Sequence, residues 1–123
     1  MRDMHPRKFE ELVAELFHRM GYDVILTPRS KDGGFDVLAF QKTGVGKLLT
    51  LVECKRYSPK DKVGVGLVRS LYGVVEEKNA THGVIATTSS FTRGARQFQQ
   101  NLEYRLSLRD FNDLAAWCKE YKR

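Results

Sequence analysis

Lys31-Asp32-Gly33-Gly34-Phe35-Asp36-Val37-Leu38-Ala39-Phe40, followed by Leu48-Leu49-Thr50-Leu51-Val52-Glu53-Cys54-Lys55, is the stretch that decides the fold. A glycine pair delivers an aspartate to the head of one apolar strand. A second apolar strand ends in Glu-x-Lys. Side chains alternate across a strand, so Glu53 and Lys55 share a face. If the two strands form a hairpin, Asp36 comes close to both. Two carboxylates and a lysine converging beside glycine backbone suit a divalent cation and a phosphodiester. Glu-x-Lys also occurs at Glu76-Lys78 and Glu120-Lys122. The second of the three falls late in a helical pattern and the third at the C-terminus, where both read as solvated charge. Only the first closes an apolar strand, 17 residues after an aspartate that Gly-Gly introduces. On local pattern alone, an exposed pair of strand-end charges remains an equal reading.

Outward from this stretch, residues 6–20 form an amphipathic helix, with Phe9, Leu12, Val13, Leu16, Phe17 and Met20 at helical spacing. Pro6 suits its first turn and Gly21 its end. Glu10 borders the apolar face, while Glu11, Glu15 and His18 lie on the wet one. Residues 22–27 read as a short strand and 28–34 as a polar loop. Residues 37–41 and 48–56 read as strands joined by a glycine-containing loop over 42–47. Val65, Val68, Leu71, Tyr72 and Val75 mark a helix over about 64–78, and residues 83–87 a buried strand. A helix carrying Ala95, Phe98 and Leu102 follows Thr88-Ser89-Ser90-Phe91-Thr92. Leu106 and Leu108 mark a last strand. Asp110 caps a final helix with Phe111, Leu114, Ala115, Cys118 and Tyr121 on or near its inner face. Trp117 reads as a packing residue, and the scattered histidines carry no ligand spacing. The order α-β-β-β-α-β-α-β-α implies an α/β fold with a mixed central β-sheet flanked by helices.

Bulk properties bound the function. A chain of 123 residues is one domain by length, with 41% hydrophobic residues available for a core. Lys and Arg exceed Asp and Glu by 21 to 15, and the resulting +6 suits a polyanionic partner. No apolar run reaches membrane-spanning length, and the start lacks an apolar leader segment. Cys54 and Cys118 stand alone without metal spacing, which fits a reduced, cytoplasmic protein.

Asp-Gly-Gly-Phe-Asp-Val and Val-Glu-Cys-Lys-Arg-Tyr resemble the Mrr-like family of restriction endonucleases, within the PD-(D/E)xK nuclease superfamily. The likeness extends to His5 through Val13 with Gly21-Tyr22, and to Gly83 through Thr92 with Ala95. It covers roughly residues 6 to 115. Phe35 stands where the family pattern has proline, and Glu53 where many members carry glutamine. Glutamate is the better ligand for a hard cation. The resemblance implies a restriction-endonuclease-like core and a Mg²⁺-dependent endonuclease, with Mn²⁺ as a substitute. Asp36, Glu53 and the Cys54 carbonyl would hold the metal, and Lys55 would act on the attacking water or the developing oxyanion. Glu10 would approach the metal from the first helix, against the plainer reading of a flanking charge.

DNA is the expected substrate, with RNA open because the triplet serves both. Arg56, Lys60 and Lys62, in the basic loop after the site, are candidates for phosphate contacts. Ser90 and Thr92 would cap a helix or hold a phosphate. Arg93 and Arg96 do nothing for that helix's dipole, which makes them candidates for backbone contacts. No base-reading segment is evident, so a homodimer or further domains are expected for double-strand cutting, and the natural protein is expected to be longer. Restriction of foreign DNA is the role the likeness implies. The competing readings are a non-catalytic nucleic-acid-binding module of the same fold, and an RNase or effector nuclease switched on by another domain.

Overall fold

The computed structural model describes residues 1–28 and 34–122. The element order matches the expected one: α1 (Pro6–Arg19), β1 (Asp23–Leu26), β2 (Val37–Thr43), β3 (Gly46–Lys55), α2 (Val65–Glu77), β4 (His82–Thr87), α3 (Arg93–Gln100), β5 (Leu106–Arg109) and α4 (Phe111–Glu120). The largest departure lies in the hairpin. The loop expected over 42–47 is instead two residues, Gly44 and Val45, because β2 and β3 stay paired as far as Thr43↔Gly46. Gly46 takes φ of 129°, which lets so short a loop close, and the Thr43 hydroxyl donates to the Gly46 carbonyl. Leu102 and Ala115 also differ from expectation. The first lies beyond α3 and the second is exposed on α4.

The five strands lie in the order β1-β2-β3-β4-β5. β1, β2 and β3 form an antiparallel meander. β3, β4 and β5 run parallel, joined by crossovers through α2 and α3. The sheet is therefore mixed and covered on both faces. Phe9, Val13 and Phe17 of α1 and Leu114 of α4 pack on Val37, Val52, Val84 and Ala86. Val68, Leu71 and Val75 of α2 and Ala95 of α3 pack on Leu51, Ile85, Leu106 and Leu108. Neighbours in sequence, such as Leu51 and Val52 or Val84 and Ile85, fall on opposite sides. That is the two-residue alternation of a strand buried on both faces. Gly83 sits where no side chain fits, since a Cβ there would lie 2.7 Å from Val75 Cγ2.

The helix ends follow capping chemistry. Thr92 accepts from the Ala95 amide, and Asp110 and Asp113 form a reciprocal capping box. Thr92 is thus engaged as a cap. The hydroxyls before it have a different use. Thr87 and Thr88 are wholly buried, and Thr87 Oγ1 donates to the Lys55 carbonyl at 2.7 Å. Thr88 Oγ1 donates to the Tyr57 carbonyl at 2.7 Å, and Ser89 Oγ to that of Pro59. Val63 and Ser90 complete the seam through backbone bonds. This run staples the segment after β3 onto the end of β4.

Candidate active site

The site forms at the end of the hairpin because of its register. Val37 pairs with Val52, and the Asp36 amide donates to the Val52 carbonyl at 2.7 Å. Asp36 thereby lies, just before β2 begins, beside the stretch of β3 that carries Glu53, and the Glu53 side chain points to one face of its strand. Lys55, two residues on, shares that face, and its Nζ lies 3.4 Å from Glu53 Oε2. Asp36 is buried, and its Oδ2 accepts from the Cys54 amide at 2.6 Å. An extended residue projects its own N–H and C=O to the same edge. The Cys54 carbonyl is thereby directed to the edge where Asp36 sits. The Cys54 thiol side is packed in the core.

Glu10 reaches the same place from α1. It is buried, and Arg7 Nη1 donates both to Glu10 Oε1 and to the Thr27 carbonyl, each at 2.9 Å. Thr27 in turn bonds Asp36: its amide donates to the Asp36 carbonyl at 3.0 Å and its hydroxyl to the same oxygen. A chain of hydrogen bonds thus runs from Glu10 through Arg7 and Thr27 to Asp36. Neither Arg7 nor Thr27 stands out in the sequence. The spacing of Arg7 and Glu10 is that of an ordinary surface ion pair, and the Thr27 contact exists only after the meander forms.

Glu10, Asp36, Glu53, Cys54 and Lys55 line one open cavity of about 420 Å³, with Arg56 and Tyr57 at its side. Arg56 donates to the Arg2 carbonyl, while its Nε is buried and has no partner among the described residues. Gly34 lines the cavity too, with φ of 80° and a Cβ position only 2.9 Å from Val74 Cγ2. Its close approach is to α2. Gly33 lies outside the described residues. Lys60, Lys62 and Arg93 are exposed and lie outside the cavity lining, as do Ser90 and Thr92. Arg96 is tied up elsewhere, 3.2 Å from Asp110 and stacked on Phe91.

The donor set fits a hard divalent cation. It consists of carboxylate and carbonyl oxygens, with no histidine at the cavity. Among the described residues no group of three or more His, Cys, Asp or Glu side chains is placed to hold a metal ion. Mg²⁺ does not need one, because it keeps several waters and takes one or two carboxylates together with substrate phosphate.

A mixed sheet of this topology, with two acids and a lysine gathered at the end of its hairpin, defines a nuclease-type α/β fold. The chain belongs to the Mrr-type restriction endonuclease family, whose catalytic-domain model matches residues 1–118. It is 36% identical over 104 residues to the type IV methyl-directed restriction enzyme EcoKMrr of Escherichia coli, covering 80% of this chain and 33% of that protein. It is 35% identical over 117 residues to the uncharacterized protein y4cE of Sinorhizobium fredii, covering 94% and 30%. The chain thus spans about a third of the length of these relatives. Among solved structures, the modification-dependent restriction endonuclease AspBHI shares its fold, with a TM-score of 0.79 at 24% identity over 94% of this chain and 31% of that one. The MspJI restriction endonuclease, solved in complex with a 27-mer oligonucleotide, aligns with a TM-score of 0.72 at 25% identity, covering 95% and 28%. No helix among the described residues is long and apolar enough to cross a membrane.

Proposed function

We propose that this chain is a metal-dependent endonuclease domain that hydrolyses phosphodiester bonds in DNA, in the restriction of foreign DNA. The observation that carries the reading is the one cavity that Asp36, Glu53 and Lys55 line together, with Asp36 bonded to the Cys54 amide and Lys55 3.4 Å from Glu53. Asp36, Glu53 and the Cys54 carbonyl would hold Mg²⁺ or Mn²⁺, with Glu10 lining the same cavity. An ion held there would supply a water of lowered pKa and offset charge on the phosphate. Lys55 orients that water or stabilises the oxyanion. Its ammonium is held by Glu53 and only a third exposed, so it is placed before substrate arrives. Arg7 and Thr27 hold Glu10 and Asp36 in fixed relation. Arg56 contacts the phosphate backbone nearest the cavity, and Lys60, Lys62 and Arg93 reach it further out. Cutting both strands requires two such sites, supplied by a second copy or by further domains.

Membership of the restriction endonuclease family supports DNA over RNA. The test is cleavage of supercoiled plasmid and of single-stranded RNA with Mg²⁺, Mn²⁺ or EDTA. Asp36→Asn, Glu53→Gln and Lys55→Ala are assayed alongside. Asparagine is chosen at 36 because alanine would leave the buried Cys54 amide without its acceptor. Metal-dependent nicking that falls by roughly a hundredfold or more in each variant, with folding retained, is expected. A purified variant that still cuts removes that residue from its role. Folded protein that binds DNA and never cuts, with every metal tried, makes the chain a binding module.

A further inference from the structure

A second cavity, of about 350 Å³, opens at the opposite end of β3 and shares no lining residue with the first. Its size falls in the range of small-ligand sites, about 300–1,000 Å³. Its composition is unlike that of the acidic site. Three aromatic rings build one wall. Phe17 meets Tyr22 edge-on at 5.3 Å and Trp117 edge-on at 5.7 Å, and all three line the space. The floor is the stretch of sheet that α1 and α4 leave uncovered, where Thr50, His82 and Ser107 stand on adjacent strands. Arg109 is the only charged side chain in the lining, and its guanidinium lies 5.7 Å from the centre of the Trp117 indole. No carboxylate lines the cavity.

The polar floor is ordered. His82 Nδ1 lies 3.0 Å from the Tyr104 carbonyl, and Nε2 lies 2.8 Å from Ser107 Oγ. A carbonyl only accepts, so Nδ1 carries a proton, and in the neutral ring Nε2 accepts from the serine hydroxyl. Burial, aided by Arg109 and Arg105 and opposed by the Tyr104 hydrogen bond, lowers the His82 pKa below its ordinary value and so favours the neutral ring. The cavity therefore offers aromatic surface, a fixed pattern of neutral hydrogen-bonding groups and one positive charge.

We propose that this cavity is a binding site for a nucleotide unit, with the base against Trp117 and Tyr22 and the phosphate on Arg109. Flat aromatic walls take a planar ring by stacking, whatever its identity. The neutral floor meets the edge of a heteroaromatic ring, and the guanidinium takes the anion by charge-assisted hydrogen bonds. The unit is either a free mononucleotide or one residue of a single strand. This inference does not rest on the nuclease reading, because the two cavities are separate.

Trp117 is the only tryptophan in the chain, so its fluorescence reports on this cavity alone. The titration uses wild-type protein, Arg109→Ala and Lys55→Ala, with deoxyadenosine monophosphate, deoxyadenosine, inorganic phosphate and a short single-stranded oligodeoxynucleotide, all without divalent metal. Saturable quenching by the monophosphate is expected. It should weaken by roughly tenfold or more with either half-molecule and in Arg109→Ala, and stay unchanged in Lys55→Ala. Tighter binding of the oligonucleotide than of the monophosphate identifies a strand as the source, and the reverse identifies a free nucleotide. Absence of saturable quenching by both at millimolar concentration, or equal binding by folded Arg109→Ala, overturns the proposal. Heteronuclear NMR shifts confined to residues around Thr50, His82 and Ser107 are the second readout, and shifts confined to the acidic cavity would also overturn it.

Discussion

His82 shows how a single side chain acquires a property that no sequence pattern announces. Its neighbours in sequence are Thr81 and Gly83, and nothing there suggests burial. The property comes from burial on the sheet and from the positive charges of Arg109 and Arg105, which together outweigh the hydrogen bond to the Tyr104 carbonyl. Because the folded-state pKa is lowered, the unfolded chain binds a proton that the folded chain resists. Stability is then full above the ordinary histidine value of about 6.5 and falls as pH drops through that value toward the folded pKa. Urea unfolding between pH 8 and pH 5 should show this loss in the wild type and a shallower loss in His82→Gln; identical slopes would contradict it. Asp36, Glu53 and Lys55 are different. Their proximity is readable directly from Gly-Gly-x-Asp and Glu-x-Lys, because a two-residue period and one hairpin suffice to bring them together. Arg7 and Thr27 were not readable, since their roles exist only once α1 lies across the meander.

At the scale of elements, helices and strands were legible wherever a single periodicity ran unbroken, as in α1, α2 and β4. The hairpin loop was not, because Lys42, Thr43 and Lys47 look like loop residues and become strand only through pairing. In sequence, the hydroxyls from Thr88 to Thr92 suggest a helix cap or a phosphate site. Only Thr92 caps. Thr87, Thr88 and Ser89 are spent on carbonyls at the end of β3 and in the segment that follows it. That use follows from parallel pairing: Lys55 lies beside Thr87, so the chain leaving β3 and the chain leaving β4 run together with backbone carbonyls to satisfy. Thr88→Val keeps the shape and removes the donor to Tyr57. It should cost about 1–3 kcal/mol, the penalty for an unsatisfied buried carbonyl. Amide exchange should quicken at Asp61 and Val63 before it does in β4. Unchanged exchange there would show that the backbone seam through Ser90 holds the segment alone.

On the scale of the whole molecule, the mixed sheet was expected from the order of elements, and the comparisons with known restriction endonucleases agree with that fold. What the order could not convey is that the two halves of the sheet meet on one strand. β3 closes the antiparallel meander on one side and opens the parallel half on the other. Its partners on the β2 side are three to fifteen residues away along the chain, whereas every partner on β4 is 32 residues away. This difference sets an order in time. Closing the short hairpin loop costs less entropy than closing the α2 crossover, so the meander assembles first and the parallel strands add later. In stopped-flow refolding, Leu38→Ala should mainly slow folding, and Leu108→Ala mainly speed unfolding. A polypeptide emerging from the ribosome would therefore bring Asp36 and Glu53 together early. It would not gain the wall that α2 and β4 build behind Lys55 until about thirty more residues had followed.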